Sequence, residues 1–247
     1  MSPRTPDGHP SVSFVVLAKA PVPGQVKTRL TSAYSEHEAA ALAAAALLDS
    51  LDAVRAAAAL APGTERRLVC ALSGDLEHAA APEALRAGLD DFDVLPQRGR
   101  GLGSRIASAH ADAAGRPGTG DATGATVQIG MDTPQADPAV LAAAARDVSV
   151  PGGPDAVLGL ATDGGWWLLA LRRPADARLV AGVPMSTPET GRLTRRALED
   201  AGLRVAAAPV LSDVDEPGDV VQVARRCPDS RFAALAGVLG GRPAVAS

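Results

Sequence analysis

Apolar and polar positions along the chain follow two rhythms. Short apolar runs bounded by glycine, proline or aspartate read as buried strands, and this assigns strands to 13–18, 67–72, 93–96, 125–129, 155–161, 166–171 and 204–208. Between them lie longer alanine- and leucine-rich stretches. Helices are expected over 36–60, 82–87, 104–114, 138–148, 187–201, 217–226 and 230–239. Ser35 is placed to cap the first of these. Thr187 is placed to cap the fifth, with Pro188 at its first position. Pro62-Gly63 should end the first helix, and 115–124, rich in glycine and threonine, should be a surface loop. Strands that alternate with helices predict an α/β sandwich, a mostly parallel mixed sheet with helices on both faces.

Composition narrows this further. The chain has 247 residues, which suits one α/β domain over 11–239 between polar tails at 1–10 and 240–247. Aromatics make up only 2% of it, so the core is expected to be aliphatic, with closely packed alanine-rich helices. A net charge of −4 argues against the broad basic surface that nucleic acid requires, while leaving room for a local anion pocket. Two cysteines, Cys70 and Cys227, make neither a disulfide framework nor a zinc set and fit a reducing cytoplasm. Residues 1–10 do not read as a signal peptide, and no uncharged apolar run is long enough to span a membrane.

Candidate chemistry gathers where the strands end. After Ala18 comes a loop with two prolines, Gly24 and three cations, Lys19, Lys27 and Arg29. Lys19 and Lys27 are the only lysines in a chain that otherwise uses arginine, which suggests a need for the compact ammonium at this place. A basic loop after a strand is a common phosphate holder. After Pro96, Gln97 opens a glycine-rich turn through Gly103, and Arg105 follows, a guanidinium that could clamp phosphate. Its glycine spacing is neither the dinucleotide fingerprint nor a nucleoside-triphosphatase loop.

After Ile129 comes Gly130-Met131-Asp132-Thr133-Pro134. One carboxylate with phosphate oxygens is an ordinary setting for magnesium or manganese, though Asp132 could equally cap the next helix. After Ala161, Asp163-Gly164-Gly165 turns the chain into Trp166 and Trp167, the only tryptophans. Alternation sends one of them into the core, and the other could wall an acceptor pocket. Asp213 and Asp215 fall on one side of an extended segment and could complete a metal site or cap a helix. Asp219, inside the next helix, reads as surface. The four motifs after Ala18, Pro96, Ile129 and Ala161 are expected to converge on one cleft.

No Gly-x-Ser-x-Gly elbow is present, and His9, His37, His78 and His110 lie in tails or helices away from these motifs. Histidine acid–base chemistry is therefore not expected. What remains is the positioning and electrostatic stabilisation of phosphate, with a divalent metal.

The motifs in this order resemble one family. They are Lys19-Ala20-Pro21 with Gly24 and Lys27-Thr28-Arg29-Leu30; Gln97 with Leu102-Gly103 and Arg105; Gly130 to Pro134; Asp163 to Trp167; Ser186-Thr187 with Thr194; and Asp213-Val214-Asp215. Together they resemble the DUF2064 family of GT-A-type glycosyltransferase-like proteins over roughly 13–223. The resemblance implies a GT-A-like, Rossmann-type sandwich, a nucleotide-diphosphate-sugar donor and a divalent metal, Mg or Mn. It implies Ala18, Lys19, Gly24, Lys27, Arg29, Gln97, Gly103 and Arg105 at the nucleotide and phosphates, and Asp132 and Asp163 as catalytic. Asp132, Asp213 and Asp215 would hold the metal, with Trp166, Trp167, Ser186 and Thr187 around an unidentified acceptor. The same superfamily includes nucleotidyltransferases such as molybdenum-cofactor and phospholactate guanylyltransferases. Nucleotidyl transfer with release of pyrophosphate, or phosphate binding without catalysis, are therefore the alternatives.

Overall fold

The protein is described by a computed structural model over residues 11–61, 66–115 and 124–241. The tail expected at 1–10, Pro62-Gly63 and almost all of the loop expected at 115–124 lie outside the described residues. So does the second tail, apart from its first two positions, of which Gly240 closes the last helix.

Seven strands form one sheet. They are β1 (Val12–Lys19), β2 (Arg66–Ser73), β3 (Asp93–Pro96), β4 (Ala125–Gly130), β5 (Ala156–Ala161), β6 (Trp166–Leu171) and β7 (Val205–Leu211). Their order is β3-β2-β1-β4-β6-β5-β7. Every neighbouring pair is parallel except the two that involve β6, which runs antiparallel to both β4 and β5. The mostly parallel mixed sheet is thus as expected. The direction of β6 was not legible from its apolar residues, and it brings the β5–β6 turn and Trp166 to the end where the parallel strands finish.

Strand parity sorts the core. Phe14, Val16 and Ala18 of β1 pack beneath α1 (Glu36–Leu60) and α4 (Pro138–Ser149), while Val15 and Leu17 meet the opposite face, under α3 (Leu102–Ala114). α2 (Pro82–Gly88) joins the first face through Leu85, and α5 (Thr190–Asp200) joins the second through Leu198. α6 (Pro217–Arg226) and α7 (Arg231–Gly240) pack over the start of α1.

The first helix begins where its sequence says it should. Ser35 Oγ accepts from Glu38 N at 3.2 Å and Glu38 accepts from Ser35 N at 2.9 Å, a reciprocal capping box. Alanine covers most of the buried length of α1, so α4 and α7 approach it closely. Buried Asp49 of α1 accepts from Phe232 N at 2.9 Å and Arg231 N at 3.1 Å, satisfying the first amides of α7 with a charge its dipole favours. Cys70 is the buried hydrophobe its setting predicts, and burial pushes its thiol up to about 12.

Two helix starts depart from expectation. α3 begins at Leu102, not residue 104. The helix expected from Thr187 begins at Thr190, with Glu189 at its cap. The chain doubles back at Ser186, which adopts φ +58°, and Thr190 Oγ1 accepts from Thr187 N at 3.0 Å while donating to Pro184 O at 2.9 Å. The Thr-Pro signal is spent on this turn, one step before the helix.

Candidate functional site

A cleft of about 820 Å³ opens at the carboxyl end of β1, β4 and β5. Its lining comes from Leu17 and Arg29, from Gly130 to Thr133, from the β5–β6 turn with both tryptophans, from 185–188 and from the aspartates before α6.

The basic loop reaches this cleft through charge pairs. Gly24 takes φ +74° in its turn, and Lys27 itself adopts φ +48° ahead of a single 3-10 turn over Thr28–Ser32. The Lys27 side chain is only 13% exposed, and its Nζ lies 2.8 Å from Asp132 Oδ2 and 3.9 Å from Asp215 Oδ1. Arg29 pairs with the other oxygen of Asp215. Burial alone would drag the Lys27 ammonium down, but Asp132, helped by Asp215 and Asp213, lifts it above the ordinary lysine value. Lys19 turns back on its own loop and donates to Gln25 O at 2.8 Å.

The carboxylates are held by backbone. Val214 N donates to Asp132 O at 3.2 Å, joining the loop after β4 to the one before α6. Asp219, read as surface from the sequence, instead accepts from Glu216 N at 2.7 Å and Asp215 N at 3.1 Å, and it lines the cleft. Asp213 is pushed up to about 6 by burial and then by the Asp132 and Asp163 charges, against the pull of Lys27. Asp163 stands exposed at the tip of the β5–β6 turn, with one oxygen accepting from Gly165 N at 2.7 Å.

On the far wall, Trp167 is buried and donates Nε1–H to Pro209 O at 2.9 Å, while Trp166 is half-buried beside Met185. This is the split that alternation predicts. Ser186 and Thr187 line the same wall. Gly164 makes that wall possible: it has φ +89°, and a Cβ there would lie 2.0 Å from Pro188 O.

The four motifs expected to converge do so unequally. Those after β1, β4 and β5 meet here, and the one after β3 reaches the cleft only through Leu102, while Gln97, Gly103 and Arg105 stay out of the lining. Gln97 spends both amide hydrogens on Ala18 O at 2.7 Å and Ala71 O at 2.9 Å, locking the ends of β1 and β2. Gly103 serves close packing, since a Cβ would meet Val180 O at 2.6 Å. Arg105, half-buried on α3, makes no ion pair among the described residues and is not part of the lining.

Besides Asp219, the polar lining residues Gln128, Thr133 and Glu216 were missed, and so was a histidine behind them. His110 of α3, set aside as remote, is fully buried beneath the cleft floor, with Nδ1 2.7 Å from Thr126 Oγ1. It faces Gln128, which lines the cleft. Burial pushes the imidazole down to about 4, against the Gln128 side chain, so it is neutral at physiological pH. The available signal was a glutamine in the middle of an apolar strand.

One α/β sheet with helices on both faces, and cations and carboxylates meeting at its strand ends, is an architecture shared with solved transferases. A crystal structure from Desulfovibrio desulfuricans G20, assigned to the nucleotide-diphospho-sugar transferases, superposes with a TM-score of 0.74 at 25% identity, over 92% of this chain and 94% of that one. The chain belongs to the DUF2064 family, whose model, described as an uncharacterized protein conserved in bacteria, matches residues 53–187. The 3-phospho-D-glycerate guanylyltransferase of Phenylobacterium zucineum (strain HLK1) is 34% identical over 213 residues, 81% of this chain and 84% of that protein. Glucosyl-3-phosphoglycerate synthase from Mycobacterium tuberculosis, solved with Mn2+, UDP-glucose and glycerol 3-phosphate, shares the fold alone, at 14% identity and a TM-score of 0.51 over 95% of this chain and 81% of that one. Among the described residues, no helix is long and apolar enough to cross a membrane.

Proposed function

We propose that the protein transfers a glycosyl group from a nucleotide-diphosphate-sugar donor to a hydroxyl acceptor, within one domain over 11–239. The carrying observation is the meeting of Lys27 with Asp132 at 2.8 Å, beside the Arg29–Asp215 pair. It puts the cations of the β1 loop and the carboxylates of the later loops at one point, where a diphosphate can join them. Lys19, Lys27 and Arg29 hold the phosphates, exchanging Gln25 O, Asp132 and Asp215 for phosphate oxygens. Gly24 shapes their loop, and the ends of β1 and β2, locked by Gln97 on Ala18, seat the nucleotide. Gly103 and Arg105 flank that side. Asp163, at the turn tip, faces the acceptor, which Trp166, Trp167, Ser186 and Thr187 enclose.

The donor chemistry, though not a preformed three-residue site, suits a divalent metal. Asp132, Asp213 and Asp215 offer hard carboxylate oxygens of the kind magnesium and manganese take, and the burial of Asp213 beside like charges favours a cation among them. As they stand, no three His, Cys, Asp or Glu side chains among the described residues are arranged to hold a metal ion, so an ion would have to take most of its ligands from phosphate oxygens and water. When bound, such an ion neutralises charge on the departing diphosphate.

Nucleotidyl transfer from a nucleoside triphosphate is the second reading, favoured by the guanylyltransferase relative. Calorimetry with UDP- and GDP-sugars and with nucleoside triphosphates, in Mg2+ or Mn2+, tests both on wild type and Asp132→Ala. Release of nucleoside diphosphate supports glycosyl transfer and release of pyrophosphate supports the second reading. Failure of every nucleotide to bind would sink both.

A further inference from the structure

A short polar chain lies between β4 and α3. Thr126 and Gln128, two positions apart on β4, point to the same face of the sheet, and His110 of α3 spans both. Thr126 and His110 are 0% exposed and Gln128 is 2% exposed. His110 Nδ1 lies 2.7 Å from Thr126 Oγ1. Its Nε2 and Gln128 Oε1 are both buried, meet no other partner among the described residues, and are turned to each other.

These partners assign the hydrogens. A glutamine oxygen only accepts, so the imidazole Nε2 carries the hydrogen that answers it. Burial keeps the ring neutral, so Nδ1 is bare and accepts from the Thr126 hydroxyl. The chain therefore runs one way, from the Thr126 hydroxyl through the imidazole to the glutamine. With its oxygen turned inward, Gln128 offers the cleft its amide nitrogen. That nitrogen donates to no described residue. Leu17, Ile106, Trp166 and Met185 line the same cleft and share one apolar cluster on the α3 side of the sheet. In such surroundings a donor meets little competing water and is costly to leave unmet.

We propose that Gln128 is a binding residue of the acceptor site, a fixed N–H donor that recognises an oxygen of the acceptor substrate, and that His110 is the positioning residue that keeps its amide from flipping. This rests on the transfer reading above and names what that substrate must present there, a carbonyl or hydroxyl oxygen rather than an N–H group.

Two measurements test it. Long-range 1H–15N NMR of the full chain at pH 7 should show His110 neutral with its hydrogen on Nε2, its signals identified by their loss in His110→Phe. A hydrogen on Nδ1 with Nε2 bare would mean that the glutamine donates inward and shows its oxygen to the cleft, which overturns the inference. For the second, the full chain with Mg2+ and UDP or GDP is titrated with D-glucose, glycerol and 3-phosphoglycerate, read by intrinsic fluorescence, since both tryptophans line the cleft. At least one compound should give a saturable change. Gln128→Met, which keeps the length and loses the donor, should weaken its binding about tenfold, the scale of one buried hydrogen bond. His110→Phe should weaken it by a similar factor, and the double variant by no more than either alone, because the imidazole acts through the glutamine. Nucleotide affinity by calorimetry should be unchanged in all three. If a melt shows Gln128→Met misfolded, Gln128→Glu, which keeps the shape but offers no donor, carries the comparison. Additive losses would strip His110 of its role. Binding indifferent to the Gln128 variants, or no response to any of the three compounds while nucleotide binds, would overturn the inference and leave the transfer reading in place. Absent nucleotide binding would remove the transfer reading itself, whereas the NMR measurement, which needs no ligand, still decides the orientation of Gln128.

Discussion

The two sides of the cleft are prepared in opposite ways. On the side of the β1 loop, every cation already has a partner: Lys19 holds Gln25 O, Lys27 holds Asp132 and Arg29 holds Asp215. On the cleft floor, buried Thr133 Oγ1 has no hydrogen-bond partner among the described residues, and the Gln128 side chain is turned to His110. The difference lies in what each group can tolerate. An unpaired ammonium as enclosed as that of Lys27 would be costly, so the protein supplies a carboxylate beside it. A lone amide or hydroxyl oxygen is a smaller penalty, and the structure leaves it standing. The charged side is therefore paired throughout, while the floor keeps one uncharged oxygen unpaired among the described residues.

Four substitutions or conditions would break or sharpen this contrast. The largest effect is expected from Lys27→Met, which removes the exchangeable cation; kcat/KM should fall about a thousandfold, the scale of losing one preorganised charge-stabilising donor. Steady-state kinetics with the identified donor checks it, and a change of only a few-fold would mean that Lys27 serves the fold alone. Next comes Gly164→Ala. The left-handed backbone and the approach to Pro188 should make it cost about 3 kcal/mol in urea unfolding, with acceptor use lost before nucleotide binding.

A pH effect follows from His110. Its folded pKa of about 4 lies below the unfolded value of 6.5, so the unfolded chain takes up the proton first. The contribution is fully present above pH 6.5 and is lost as pH falls toward 4, about 2 kcal/mol of it between pH 7 and 5. Denaturation at the two pH values, compared with His110→Asn, isolates it; an unchanged difference in the variant would assign the loss elsewhere. The smallest effect, about 1 kcal/mol, is expected for Ser35→Ala, which opens the capping box of α1 without touching either side of the cleft. Its melt should shift while its kinetics stay at wild-type values.

Much of the frame was legible because local chemistry set it. Ser35 and Glu38 announce α1, Pro217 opens α6 and Pro96 closes β3, each through a backbone group it satisfies or removes. The pieces that were not legible depend on distant partners. Thr187-Pro188 looks like a helix start, but Gly191 N donates to Gly164 O at 2.7 Å and Thr190 folds back on Pro184, so the cap and first turn fall two residues later. Nothing in Trp166 to Leu171 encodes strand direction, which is set by its neighbours β4 and β5. The site divides similarly. Lys27 and Asp132 stand out as motif residues, but their direct pairing across 105 positions does not. Gln128 passed as part of an apolar strand, and His110 as a helix residue, because only the fold stacks α3 over β4.

The reversed direction of β6 has one more consequence, for how such a protein can diversify. In a purely parallel sheet each wall of the cleft would draw on loops scattered through the gene. Here the strand that returns beside β5 starts at the cleft, so most of the acceptor wall comes from one contiguous stretch, 161–190. A single recombination of that segment between relatives would carry a whole wall of the cleft with it and leave the basic loop after β1 of its host intact.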